Sequence, residues 1–467
     1  MDGSIDDAAR INPYLAGNFA PLAAEDDFQL EVAGEIPAEL RGALFRIGAN
    51  PQFPPRDPNH HWFAGDGMVH GFYLQDGKAN YRNRYVRTPK WRLEHEAGRA
   101  LFGTFGNPMT SDPAAMGQDG GVANTNIVWH AGQLMALEEG HMPTRMTPDS
   151  LETLGYAESY RGRVTAHPKI DPKTGEMVWF GYGIGDMPFA RGVSYGVTDA
   201  AGNIVRRDDF EAPYASMMHD FMVTENHVLF PVLPLSGSLE RAMKGLPPYA
   251  WEPEKGSYVG VMRRDAEVSS VRWFNTEACY VFHPLNAWEE GDKLFADVMR
   301  YDAAPLFPNA DGSPGRKAAA RLVRWTFDLA GNSDAIKEEP LDDLDGEFPR
   351  VDPRAETLKH RHAWYAADPG HAQTVKQSAI AHLDFKTGKR QLYALPGGDL
   401  TSEPVFAPRP GATEEGDGWL TAVVWRAAEN RSDLLIFEAR DIEKGPLATA
   451  KVPRRVPFGF HGNWAAF

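Results

Sequence analysis

The feature that most constrains this chain is a β-hairpin that recurs from one end to the other. Residues 68–88 (MVHGFYLQDGKANYRNRYVRT) place two β-rich runs around Asp76-Gly77, a strong short-range hairpin signal. The unit returns around Gly132 in 127–137, around Pro172 to Gly175 in 169–183, and around Glu225-Asn226 in 219–233. It recurs again within 324–340, 380–395 and 423–439. Hairpins along the whole length, without helix–strand alternation, predict an all-β fold of radial or barrel-like design. A β-propeller uses many hairpins in one chain, because its blades close in a ring and leave only short edges exposed. Shared among seven blades, 467 residues give about 67 per blade, against about 40–45 for a bare four-stranded blade. The excess predicts long loops and short helices gathered as a dome on one face. GSLERAMKGL (237–246) and RKAAARLV (316–323) are the helical candidates. No low-complexity linker interrupts the chain, so one domain over 1–467 is expected.

Composition narrows the function classes. The formal net charge is −16, which disfavours nucleic acid and anionic membranes as partners. The one cysteine, Cys279, excludes an intramolecular disulfide and any multi-cysteine zinc or iron–sulfur site. The first residues (MDGSIDDAARINPYLAG) lack the basic start and apolar core of a signal peptide. No apolar stretch reaches the length of a spanning helix. A cytoplasmic protein without stable membrane insertion, monomeric or homodimeric, is expected.

Chemistry must be assembled from distant segments, because HExxH, a P-loop, a GxSxG elbow and a dinucleotide fingerprint are all missing. Four of the 15 histidines share a context: His167 (VTAHPKIDPKTG), His219 (MMHDFMVTENHVLF), His283 (YVFHPLNAWEEGD) and His461 (PFGFHGNW). Each lies at or near the end of an apolar strand-like run, beside a breaker or turn. Their separations of 52, 64 and 178 residues suit one ligand from each of several blades. Neutral imidazoles converging on a propeller axis could hold one metal, although a lone strand histidine is more often a hydrogen-bonded structural residue. The adjacent pair His60-His61 is the main competitor, but neighbours on a strand point to opposite faces.

Several segments together resemble the carotenoid cleavage oxygenase family: NPYLAGNFAPL (12–22), GEIPAELRGALFRIGANPQF (34–53), HHWFAGDGMVHGF (60–72), AHPKIDP (166–172), HDFMVTENH (219–227), FHPLNAWEEGD (282–292), GEFPRVDPR (346–354), SEPVFAPR (402–409) and VPFGFHGNW (456–464). The resemblance implies a seven-bladed propeller with one non-haem Fe(II) on its axis, held by His167, His219, His283 and His461. It implies supporting glutamates at Glu139, Glu347 and Glu403. A carboxylate that accepts an imidazole Nδ1–H fixes the tautomer and leaves Nε2 for the metal. It further implies O2 as co-substrate, cleavage of a carbon–carbon double bond into two carbonyls, and a Thr125 that restricts access to the iron. Four histidine ligands would saturate a tetrahedral zinc, which disfavours a zinc hydrolase.

Segments 88–113 and 124–139 are most similar to the bacterial lignostilbene- and phenylpropanoid-cleaving branch. That branch holds a 4-hydroxyphenyl ring with a Phe, a Tyr and a Lys; the matching positions here are Phe63, Phe105 and Glu138. With Tyr and Lys replaced, Glu138 is expected to accept the phenol's hydrogen bond or proton, with Phe63, Phe105 and Phe307 as aromatic walls. The expected substrate is a 4-hydroxyphenyl alkene of the isoeugenol or 4-vinylguaiacol kind, or a hydroxystilbene, and the product an aromatic aldehyde such as vanillin. The alternatives are an apocarotenoid-cleaving enzyme of the same family and a non-catalytic metal-binding propeller.

Overall fold

A computed structural model describes residues 12–105, 107–371 and 377–467, and the chain divides into two compact units. Unit 1 is Met1–Val164, Leu395–Ala412 and Asp417–Phe467; unit 2 is Thr165–Ala394 and Thr413–Gly416.

Unit 1 holds three antiparallel sheets. The first runs Asp27–Gln29, Lys78–Tyr85, Gly67–Gln75, Gly42–Ala49 and Gly462–Ala466, so the last strand of the chain pairs with an early one, Arg46 opposite Gly462. The second is Asn126–His130, Gln133–Leu137, Thr144–Met146 and Thr153–Tyr156. The third joins Glu31–Gly34 to Ala448–Val452, Arg431–Glu438 and Gly418–Arg426, with Val405–Pro408 and Leu400–Thr401 on the far side. Leu44, Phe72, Leu74, Tyr81, Trp419, Leu434 and Ile436 form one apolar cluster between the first and third sheets.

Unit 2 holds four four-stranded sheets, each in simple up-and-down order. They span Lys169–Ile170 to Ile204–Glu211, Met222–Val223 to Arg272–Thr276, Tyr280–Glu290 to Lys337–Pro340, and Gly346–Arg350 to Lys389–Ala394. A two-stranded ribbon, Leu235–Gly237 with Tyr249–Trp251, is inserted in the second. Apart from that ribbon, the sheets of the two units number seven among the described residues.

Every hairpin expected from the sequence is present. Gln75 pairs with Lys78 across Asp76 (φ 52°) and Gly77 (φ 72°), both left-handed as a type I′ turn requires. Ala131 (φ 49°) and Gly132 (φ 74°) repeat this turn. The helix expectation holds at Leu239–Met243 and fails at 316–323. Residues 316–320 form no helix, and the chain then enters the strand Arg321–Asp328, in which Leu322, Trp325 and Phe327 are buried; the cross-strand packing of its last residues outweighs the helix propensity of the run. The longer helix, Pro89–Ala97, was not anticipated. Thr88 caps it by accepting from the Trp91 N–H, Pro89 opens it, and Gly98 (φ 65°) ends it. Among the described residues no helix is long and apolar enough to cross a membrane.

Candidate metal centre

In unit 2, three of the four expected histidines meet. His167 and His219 lie just before the short strands Lys169–Ile170 and Met222–Val223, and His283 lies within Tyr280–Glu290. The Nε2 atoms of His167 and His219 are 3.1 Å apart, as are those of His219 and His283. All three rings offer a ligand atom within 4.8 Å of the others. The pairing register shifts on both sides of Pro284, so the strand is bulged where His283 projects.

Glu347 fixes the tautomer of His283. It accepts the His283 Nδ1–H at 2.5 Å, the Phe348 N–H at 2.6 Å and the Tyr301 hydroxyl at 3.0 Å. Burial, reinforced by the Glu347 carboxylate, holds the Tyr301 phenol far above its usual pKa, so it remains a donor. With Nδ1 protonated, His283 turns the lone pair of Nε2 toward its two neighbours. Lone pairs at such spacing repel unless a cation sits among them. Two nitrogens each about 2.1 Å from one ion and at right angles would be about 3.0 Å apart, so the donors fit a metal of imidazole preference.

Beside His167 stands Asp220, which the sequence reading missed. Its carboxylate is 3.6 Å from His167 Nδ1, pairs with Lys169 Nζ at 2.8 Å and accepts the Phe221 N–H at 2.6 Å. Burial pushes the Asp220 pKa up, and Lys169 opposes that rise. The adjacent His-Asp pair in HDFMV was a usable signal.

In unit 1, His461 repeats the arrangement of His283. Its Nδ1 is 3.0 Å from Glu403, whose other oxygen accepts the Gly462 N–H at 2.8 Å. The backbone is fixed at both ends: the Ile47 N–H donates to the His461 carbonyl at 2.9 Å, and the His461 N–H donates to the Thr125 carbonyl at 3.2 Å. Gly48 permits this approach, since a Cβ there would lie 2.5 Å from Gly459 Cα. Arg46, fully buried beside Glu403, was also missed; burial lowers its pKa to about 10 while Glu403 opposes the shift, and it stays cationic.

The remaining expected residues fall as follows. Thr125 lies just before Asn126–His130, its hydroxyl donating to Asn124 Oδ1 at 2.9 Å. Asn124 in turn donates to the carbonyls of Phe63 at 2.9 Å and Gly65 at 2.7 Å. Phe63 and Phe105 meet edge to face at 5.6 Å, and Phe63 also packs on Phe460, the neighbour of His461, at 5.5 Å. Glu139 is half-buried at the end of Gln133–Leu137, and Phe307 is buried in unit 2. Glu138 is buried, and its carboxylate is engaged: one oxygen accepts the N–H groups of Val122 (2.8 Å) and Ala123 (3.1 Å), the other pairs with His141. Burial alone would lower the His141 pKa, but the Glu138 carboxylate, with Asp119, pushes it up to about 9.

The sheets and the imidazole cluster define an all-β protein with a candidate metal centre. Residues 19–466 match the family model of the retinal pigment epithelial membrane protein. The chain belongs to that family, the carotenoid cleavage oxygenases. It is 39% identical to isoeugenol monooxygenase of Pseudomonas putida over 477 residues, covering 97% of this chain and 98% of that one. It is also 39% identical to lignostilbene-alpha,beta-dioxygenase isozyme III of Sphingomonas paucimobilis, covering 97% and 96%. The crystal structure of Pseudomonas brassicacearum lignostilbene dioxygenase superposes with a TM-score of 0.93 at 34% identity, covering 98% of this chain and 99% of that one. The seven sheets are therefore the blades of a seven-bladed propeller, and the protein is an alkene-cleaving oxygenase.

Proposed function

We propose that this alkene-cleaving oxygenase uses O2 to split the side-chain double bond of a small 4-hydroxyphenyl alkene of the isoeugenol or 4-vinylguaiacol kind, with hydroxystilbenes next in preference. The product is an aromatic aldehyde such as vanillin. The reaction centre is one ferrous ion per chain, held by His167, His219, His283 and His461. The observation that carries the reading is the knot of imidazole Nε2 atoms spaced at 3.1 Å, with no thiolate and no carboxylate among the donors. The names of the relatives, isoeugenol monooxygenase and lignostilbene dioxygenase, support the substrate class.

Iron(II), when bound, supplies the electron density that O2 needs to react with a closed-shell alkene. The protein's own residues prepare the site. Glu347 and Glu403 keep His283 and His461 protonated at Nδ1 and raise their basicity, with Glu139 as the third carboxylate of the set. Thr125 narrows the approach to the metal. Phe63, Phe105 and Phe307 exclude water and press on the substrate ring. Glu138 serves by anchoring the 122–125 segment that carries Asn124 and Thr125, since its oxygens already hold that backbone and His141.

The test is anaerobic reconstitution with Fe(II), a metal count, and exposure to ¹⁸O2 with a panel of hydroxystyrenes, hydroxystilbenes and apocarotenals. One iron per chain and labelled aldehyde from a 4-hydroxystyrene are expected. Failure to retain iron, or turnover of apocarotenals alone, overturns the reading.

A further inference from the structure

Trp62 packs on the residue next to a histidine of the metal site. It is 5% exposed, and its indole meets Phe460, which precedes His461, with centroids 4.2 Å apart. Tyr14 lies nearly parallel to the same indole, 12° between planes and 6.4 Å between centroids. In unit 1 these rings thus make an unbroken line from the neighbour of His461 to a half-buried tyrosine. Hydrogen bonds fix the line. Asn12 accepts the Tyr14 N–H at 2.9 Å and donates to the carbonyls of Pro58 at 3.2 Å and His60 at 2.7 Å. The turn Pro13–Leu15 is thereby tied to the segment that leads into Trp62. Phe460 donates its N–H to the Ile47 carbonyl at 2.9 Å. Among the described residues nothing accepts from the indole N–H of Trp62. Leaving a buried donor unpaired is costly, and a phenylalanine would pack here without that cost. What indole and phenol offer beyond a phenyl ring is readiness to give up one electron. Burial raises the Tyr14 pKa, so its phenol keeps its proton until it is oxidised.

We propose that Trp62 and Tyr14 form a one-electron relay that protects the metal site when O2 is activated with no alkene bound. This rests on the reading of His461 as a ligand of the iron. During cleavage the alkene supplies the electrons that O2 takes up. Without it, an oxidised centre draws them from the side chains around it, its own imidazoles included. Trp62 gives that centre one electron through Phe460 and His461, and becomes an indole radical cation. No base stands beside the indole N–H, so the proton stays in place and the hole is free to move on. Tyr14 then gives one electron to Trp62 and releases its hydroxyl proton to water. The indole is restored, and a neutral phenoxyl radical remains on Tyr14. The balance is one electron delivered to the centre, one electron and one proton lost by Tyr14. A soluble one-electron reductant such as ascorbate, with a proton from water, returns the phenoxyl to the phenol.

Two variants test the relay. Trp62→Phe keeps a ring against Phe460 and removes the oxidisable indole; Tyr14→Phe removes only a hydroxyl. Iron-loaded protein is exposed to O2 without substrate, with catalase present to destroy diffusible peroxide. Electron paramagnetic resonance of frozen samples reads the phenoxyl radical. Peptide mass spectrometry reads oxygen added at Tyr14, Trp62 and His461, and a metal count reads iron loss. Met109 and Met243, 86% and 81% exposed, report any oxidant loose in solution. The wild type is expected to show the phenoxyl signal, and both variants to lose it. Oxidation of Tyr14 should fall severalfold in Trp62→Phe. Oxidation of His461 and loss of iron should rise severalfold in both variants, with the two methionines unchanged. Undiminished Tyr14 oxidation in folded, iron-loaded Trp62→Phe overturns the relay. No rise at His461 in either variant overturns its protective role. A wild type that holds iron yet oxidises neither Tyr14 nor Trp62 overturns the proposal and leaves the iron reading standing. A wild type that holds no iron refutes both.

Discussion

Glu347→Gln is the sharpest test of how the site is tuned. The glutamate accepts from three donors: His283 Nδ1–H, Phe348 N–H and the Tyr301 hydroxyl. A glutamine can keep two of these unchanged by turning its carbonyl oxygen toward His283 and Phe348. Its amide group then faces Tyr301, whose hydroxyl can rotate to accept. The geometry survives and the charge is lost. A hydrogen bond to a charged group contributes about 1.5–3 kcal/mol and a neutral one about 0.5–1.5. The difference, about 1–1.5 kcal/mol, corresponds to about tenfold weaker iron binding. Glu347→Ala goes further, since it strands the His283 and Phe348 N–H groups in a buried site, and about a hundredfold loss is expected. Both constants come from anaerobic competition against a chelator of known affinity, with circular dichroism confirming the fold. An Fe(II) affinity for Glu347→Gln within twofold of wild type would refute the charge argument. Equal losses for Gln and Ala would refute the hydrogen-bond accounting.

Two further perturbations probe the scaffold. His141 holds its proton to about pH 9 against 6.5 when unpaired, so its contribution to stability is full below about pH 6.5 and is lost as the pH climbs through 9. The urea midpoint of the wild type is expected to fall between pH 6 and 9.5 more steeply than that of His141→Ala; parallel curves would show that the pair with Glu138 is not coupled to folding. Gly48→Ala places a methyl 2.5 Å from Gly459 Cα and displaces the segment that leads into His461. It should lower Tm, and the iron content of the protein that remains folded should fall below one per chain; full occupancy would break the link between this close approach and the ligand.

Much of the fold was legible because hairpins are local. Asp76-Gly77 and Ala131-Gly132 declare their turns within two residues, and the flanking strands need only alternate. The helix Pro89–Ala97 carried an equally local signal, Thr-Pro at its start and Gly at its end, which the dominance of strand pattern obscured. The alanine-rich run 316–323 misled for the opposite reason: its last residues, Arg321–Val323, belong to a strand paired with Val298, Met299 and Arg300 across the ladder, which no local window contains. At the site, histidines beside strand breakers were readable, and so were the carboxylates in GEFPR and SEPVF. Asp220 carried a local signal in its place beside His219, but Lys169 and Arg46 carried none, because their importance lies in what burial does to a charge. Glu138 shows a further limit. A motif position passes from relative to relative, but the partners of its side chain are set by neighbours such as Val122, Ala123 and His141, which the motif does not specify.

The irregular places in the sheets are where the chemistry is carried. A regular strand sends successive side chains to opposite faces, so it cannot readily offer a ligand and also a backbone donor to the carboxylate that supports it. Glu347 and Phe348 solve this by breaking the pattern. The register shifts between Glu347 and Arg350, and Phe348 takes φ 55°, a left-handed conformation that costs a non-glycine residue about 1–2 kcal/mol. Glycine would relieve that cost, yet the residue is Phe. Its N–H lies on the Glu347 carboxylate, and its ring stacks on His283 with centroids 5.3 Å apart. The strain is thus offset by a contact that steadies the imidazole from its face while Glu347 holds it from its edge. The same economy explains why His461, His167 and His219 sit one, two and three residues before the strands that start at Gly462, Lys169 and Met222: there the backbone is outside the ladder and free to set the ring, while the paired strand that follows keeps that turn in place.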